Sequence, residues 1–177
     1  MNRRRFVHWL STLPLCNLVG RRAVAQSAAL STAELATLRD VAGVVLPSAL
    51  GKARTDAVAA GFVAWIGAYR PGAEMSSGYG FPRVQTLPGS PSAHYAAQLR
   101  ELAPKMANGK REAVAAALEA AQVDRIPQRP TGKHIAADLL SYFYAGSEGQ
   151  DLLYGVAIKR DDCRGLADSG ERPPAWS

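Results

Sequence analysis

The chain predicts an all-α domain, an irregular bundle of about five to six helices with one long Gly/Pro-rich loop and an extended C-terminal tail. Three observations carry this expectation. Apolar residues recur at helical spacing in several separate segments, helix-start signals precede a number of them, and no run of five or more residues alternates as a strand would. The length, 177 residues, suits one domain. With 47% hydrophobic and 20% charged residues the chain can bury a core, which excludes a disordered tail.

Taken in order, the first helix opens at Ser31-Thr32-Ala33-Glu34, a capping box that serves two otherwise orphan amides. Leu35, Leu38, Val41, Ala42 and Val45 follow at helical spacing, and Pro47 closes the segment. A second helix is expected from Thr55-Asp56, with Val58, Phe62, Trp65, Ile66 and Tyr69 as its stripe and Pro71-Gly72 as its stop. Residues 71–91, rich in Gly and Pro, read as a long loop without regular structure, a type that tends to be functional. Ser90-Pro91 supplies a cap and a first-turn proline for a third helix, which turns Tyr95, Leu99 and Leu102 inward and ends at Asn108-Gly109. A fourth helix is expected from Lys110 to Val123, with Val114, Leu118 and Ala121 inward. A fifth follows Thr131 with Ile135, Leu139, Leu140 and Phe143, and a short sixth covers Glu148 to Val156. One more turn is expected near Asp161 to Leu166, before a tail over 167–177.

Charge is unevenly placed. The formal balance is +6, yet Arg3, Arg4, Arg5, Arg21 and Arg22 all lie within the first 25 residues, where no acid occurs. The remainder holds sixteen bases against fifteen acids, so the body is nearly neutral and a nucleic-acid partner is not expected.

The basic start resembles a twin-arginine export signal. Asn2-Arg3-Arg4-Arg5-Phe6-Val7-His8 places two arginines ahead of Phe6 and an aliphatic residue. An apolar stretch from Trp9 to Val19 follows, interrupted by Pro14 and too short to remain as a membrane span. Ala23-Val24-Ala25 then offers a small-x-small cleavage site, so residues 1–25 read as a signal peptide and 26–177 as the mature helical domain. The resemblance implies export to the periplasm in a folded state, with Arg3, Arg4 and Phe6 addressing the translocase and Ala23 and Ala25 marking cleavage.

Chemistry-bearing residues are few. His8, His94 and His134 are too far apart in sequence to share a helix face, so a metal site is not expected; His134, in a helix's first turn, reads as a surface or partner-facing residue. Beyond the leader Cys163 is the only cysteine. It pairs with another chain or is buried as a free thiol; Asp161 and Asp162 beside it disfavour a reactive thiolate. Gly78-Tyr79-Gly80 follows no strand and is no dinucleotide fingerprint, and no serine stands in a nucleophile elbow. Phe62, Trp65 and Phe143 read as core. Tyr79, Phe81 and Trp176, in the loop and the tail, either fold back over the domain or anchor in a partner, where aromatics and arginines such as Arg83 dominate.

Three stretches carry a wider resemblance: Leu30 to Arg39 leading to Val44-Val45-Leu46-Pro47, Ala136 to Tyr144, and Asp161-Asp162-Cys163-Arg164 with the Pro/Trp tail. In this order behind such a leader, the chain resembles the gluconate 2-dehydrogenase subunit 3 family, the small (gamma) subunits of membrane-associated flavoprotein sugar dehydrogenases. The resemblance implies a non-catalytic subunit with no cofactor of its own. It implies a large glucose-methanol-choline-type partner that holds FAD, and a membrane-anchored cytochrome c subunit with haem c. On this basis Cys163 bonds to or packs against the large subunit, and Tyr79, Phe81, Arg83 and Trp176 are candidate interface anchors. Two rival readings remain: a free-standing exported helical small-molecule-binding protein, and an enzyme with its site around His134, Tyr142 and Cys163.

Overall fold

A computed structural model describes residues 30–75, 83–158 and 170–176. Among these lie six α-helices: α1 (Thr32–Val45), α2 (Gly51–Ala68), α3 (Tyr95–Met106), α4 (Lys110–Ala120), α5 (Ile135–Ala145) and α6 (Ser147–Tyr154). Single 3-10 turns at Ser48–Leu50 and Pro91–His94 lead into α2 and α3. Among the described residues 63% are helical and none belongs to a strand, so the fold is all-α.

The capping box forms as its spacing predicts. The Glu34 amide donates to Ser31 Oγ at 3.3 Å, and the Ser31 amide donates to Glu34 Oε2 at 2.7 Å. The Ser31 amide foremost, and the Ser31 hydroxyl after it, hold the Glu34 carboxyl below its ordinary range. The helix so started is the hub of the bundle: α1 packs against α2, α3, α4 and α5. Its Leu38, Val41 and Ala42 are fully buried against Phe62 of α2, Leu99 and Leu102 of α3, Val114 of α4, and Ile135 and Leu139 of α5. Each large side chain taken out of water in this way contributes roughly 1.5–3 kcal/mol before the entropy of ordering is subtracted. Residues 135–139 are buried without a break, so α5 is enclosed rather than amphipathic.

Three expectations are corrected. The second helix begins at Gly51, not at Thr55-Asp56, because the chain runs straight out of the 3-10 turn. Gly51 makes that junction at φ +67°, which a side chain would resist. Thr55 lies inside the helix, its Oγ1 donating to the Gly51 carbonyl at 2.9 Å, and Asp56 pairs with Lys52 at 2.6 Å.

The 71–91 loop is tied at its base, not irregular throughout. The Gly72 amide donates to the Leu87 carbonyl, Leu87 to Ala73 and Met75 to Gln85, at 2.8–2.9 Å. The pairing uses main-chain groups alone, so no alternation of side chains announces it. Residues 76–82 lie outside the described range.

The fourth helix stops at Ala120, three residues before Val123. Gln122 takes φ +53° there; its amide donates to the Glu119 carbonyl and that of Val123 to Leu118, a Schellman closure without the usual glycine. The third, fifth and sixth helices lie within a few residues of expectation, and Ser90 Oγ caps the turn before α3 by accepting from the Ser92 amide. The turn expected near 161–166 lies outside the described residues.

Candidate functional site

The most densely bonded polar group is one the sequence did not single out. Asp138, on the enclosed helix α5, has no exposed surface. Its Oδ2 accepts from the Tyr95 hydroxyl at 2.7 Å and the Gly132 amide at 2.7 Å; its Oδ1 accepts from the Thr131 amide at 2.8 Å and the Thr131 hydroxyl at 3.4 Å. One carboxylate thereby fixes α3, α5 and the connection before α5. Gly132 stands at φ +81°, where a Cβ would come within 2.7 Å of the Pro91 carbonyl oxygen. Burial first, and the bond to Asp138 second, push the Tyr95 hydroxyl well above the tyrosine range. This assembly holds the fold, and every atom of it that could react is already hydrogen-bonded.

His134 corrects a further expectation. It is only 5% exposed, not a surface residue, because its ring closes the start of α5: Nδ1 accepts from the Ala136 amide at 3.2 Å. An accepting Nδ1 puts the proton of the neutral ring on Nε2. Burial pushes the imidazole pKa down, against the opposing charges of Asp138 and Glu101.

Of the residues proposed for interfaces, Arg83 and Trp176 lie in the described range. Arg83 is exposed on the returning arm of the loop. Of the two alternatives for Trp176, the structure takes the fold-back. The Ala157 amide donates to the Pro174 carbonyl at 2.8 Å and the Trp176 amide to the Gly155 carbonyl at 3.2 Å. The half-buried indole packs on the core, with the Arg54 guanidinium 5.2 Å from its ring centre. Arg3, Arg4, Phe6, Ala23, Ala25, Tyr79, Phe81 and Cys163 lie outside the described residues.

Beside this returning tail is an apolar surface. Leu153 and Tyr154, at the end of α6, are 63% and 66% exposed, and Ile158 follows at 36%. The three are neighbours in sequence, and exposed apolar side chains that form one patch mark contact sites, whereas scattered ones are ordinary.

Two half-open clefts flank α5. One, of about 520 Å³, runs between α3 and α4, with alanines of α4 along one side and Glu101, Lys105 and His134 along the other. The second, of about 480 Å³, is lined by Val58, Trp65, Tyr142 and Phe143. Tyr142 there packs on Phe62 and Trp65, at ring-centre distances of 5.4 and 6.0 Å. His134 and Tyr142 therefore serve different clefts, separated by about 12 Å along the helix axis, and the structure does not bring them together. Phe62 and Phe143 are core as expected, whereas Trp65 is half-buried.

Among the described residues no group of three or more His, Cys, Asp or Glu side chains could hold a metal, and no helix is long and apolar enough to cross a membrane. No protein-family model, curated protein or solved structure matches the chain.

Proposed function

We propose that the chain is the non-catalytic small subunit of an exported flavoprotein sugar dehydrogenase of the glucose-methanol-choline type. It escorts the FAD-bearing large subunit through the twin-arginine route and remains bound to it in the periplasm. A cytochrome c subunit carrying haem c ties the complex to the membrane. The single observation that supports this reading is the apolar surface of Leu153, Tyr154 and Ile158, on the same stretch of chain that leads to Cys163. A large partner removes that surface from water, and a disulfide from Cys163, five residues beyond Ile158 in the sequence, would secure the contact. The buried polar groups His134, Asp138 and Tyr95 act within the fold, which suits a subunit that binds rather than turns over substrate.

Co-export tests the proposal. With Arg3→Lys and Arg4→Lys in the native host, both the chain and the flavoprotein dehydrogenase activity are expected to stay in the cytoplasm. Dehydrogenase activity that still reaches the periplasm in full contradicts the escort role. On gels of the complex, a band that separates only after reduction assigns the disulfide to Cys163.

A further inference from the structure

The connection from α3 to α4 is three residues long, Ala107, Asn108 and Gly109. Asn108 is the only asparagine beyond the leader. It is exposed, and its side-chain amide makes no hydrogen bond among the described residues. The main chain there is loosely held. The Asn108 amide donates to the Lys105 carbonyl at 3.3 Å and the Gly109 amide to the Met106 carbonyl at 3.4 Å, both longer than an ordinary amide bond. Local opening of this turn therefore costs little and frees the Gly109 nitrogen.

The glycine that follows Asn108 is required by the fold. Gly109 stands at φ +151°, and a Cβ there would come within 2.7 Å of Glu112 Oε2. No side chain thus shields the Gly109 nitrogen, the main-chain atom that can close a ring on the Asn108 side chain. An unbonded, exposed asparagine and a bare, weakly tied nitrogen stand together.

We propose that Asn108 is a site of self-modification, its side-chain amide converted to a carboxylate through a succinimide formed with Gly109. The Gly109 nitrogen gives its proton to solvent base and bonds to Asn108 Cγ. The Cγ–Nδ2 bond breaks, and the nitrogen leaves with a solvent proton as ammonia. Water then opens the ring at either carbonyl and returns a proton to the Gly109 nitrogen. Opening at Cγ gives aspartate, whereas opening at the main-chain carbonyl gives isoaspartate, with an added methylene between α3 and α4. One water enters and one ammonia leaves, so no oxidant or cofactor is needed. At neutral pH a negative charge replaces a neutral amide beside Lys105 and Glu112, which line the same cleft. The site is independent of the subunit role above and needs this chain alone.

Ageing the folded full chain in warm, mildly alkaline buffer tests it, with mass spectrometry of the tryptic peptide Met106–Lys110 at successive times. The peptide is expected to gain the mass of an amide turned to acid, in two separable isomers, the isoaspartyl one larger. The intact chain is expected to elute as a more acidic species over the same period. Asn108→Gln, a change at an exposed position, is expected to leave circular dichroism unchanged and to abolish both effects. Three results overturn the proposal: no mass gain in the aged wild type, a gain confined to chain unfolded in urea, or an acidic shift that persists in full in Asn108→Gln.

Discussion

The Tyr95 hydroxyl donates to Asp138 Oδ2 at 2.7 Å, joining the first residue of α3 to the first turn of α5 across 43 positions of chain. Both side chains are fully buried, and the remaining lone pairs of the carboxylate are taken by Thr131 and Gly132. Removing either end leaves the other without its partner. Tyr95→Phe is expected to lower the unfolding free energy by about 1–3 kcal/mol, the penalty of an unmade buried bond. Asp138→Ala strands four donors on three residues at once and is expected to lose about 3–5 kcal/mol. Urea unfolding followed by circular dichroism checks both, and a loss under 0.5 kcal/mol (roughly the level of a surface change) in Asp138→Ala would show that the network does not hold α3 to α5.

Two glycines are expected to resist replacement. At Gly132 an alanine meets both the positive φ and the Pro91 carbonyl oxygen. At Gly149 its Cβ would stand 2.2 Å from the Phe143 carbonyl oxygen, where α6 crosses the end of α5. Each substitution is expected to destabilise by about 1–3 kcal/mol or more. The reverse holds at Gln122, whose φ of +53° suits glycine: Gln122→Gly is expected to stabilise by about 1 kcal/mol. Melting temperatures of the three variants, which should move in opposite directions, are the check.

Acid should weaken the fold through His134. The buried ring must stay neutral for Nδ1 to accept from Ala136, and its folded pKa lies below the unfolded value of 6.5. Between the two values the unfolded chain binds the extra proton, so stability is full above 6.5 and falls as the pH drops below it. His134→Asn should flatten this part of the stability profile, measured by urea unfolding in steps of pH. At the alkaline end Tyr95, raised well above its ordinary 10, contributes stability that is lost as the pH rises through 10. Tyr95→Phe should remove that loss.

Ser141 is a buried residue whose hydroxyl has no hydrogen-bond partner among the described residues. Taking a polar group out of water without a bond is unfavourable. Ser141→Ala is therefore expected to be neutral or to stabilise by up to about 1 kcal/mol, read as a shift in the urea midpoint. A clear destabilisation would mean that the hydroxyl is satisfied after all.

The features legible in the sequence are those whose causes are local. The capping box at Ser31 and Glu34 lies within one turn, Ser90-Pro91 marks its own helix start, and the stripe of Leu38, Val41 and Ala42 follows from helical period alone. What was missed depends on distant chain. Asp138 reads as an ordinary acid in a helix until Tyr95 and the Thr131-Gly132 turn are brought to it; its one sequence signal is an acid within the apolar run Ile135 to Phe143. His134 reads as a surface residue because a first-turn histidine is usually solvated, and its burial as the cap of α5 depends on the folded chain around it. The ladder at the loop base uses backbone groups, which leave no pattern in side chains.

The subunit role is tested most directly at the surface that supports it. The tagged chain is recovered from its native host, as wild type and as Leu153→Asp with Tyr154→Asp, and each eluate is examined by gel and visible spectrum. Both substituted side chains are about two-thirds exposed, so unchanged circular dichroism is expected and any difference belongs to binding. The account predicts that a larger, yellow flavoprotein elutes with the wild type and falls at least about tenfold with the variant, as the loss of an interface anchor requires. A colourless wild-type chain eluting alone, or a variant that retains the flavoprotein in full, would contradict it.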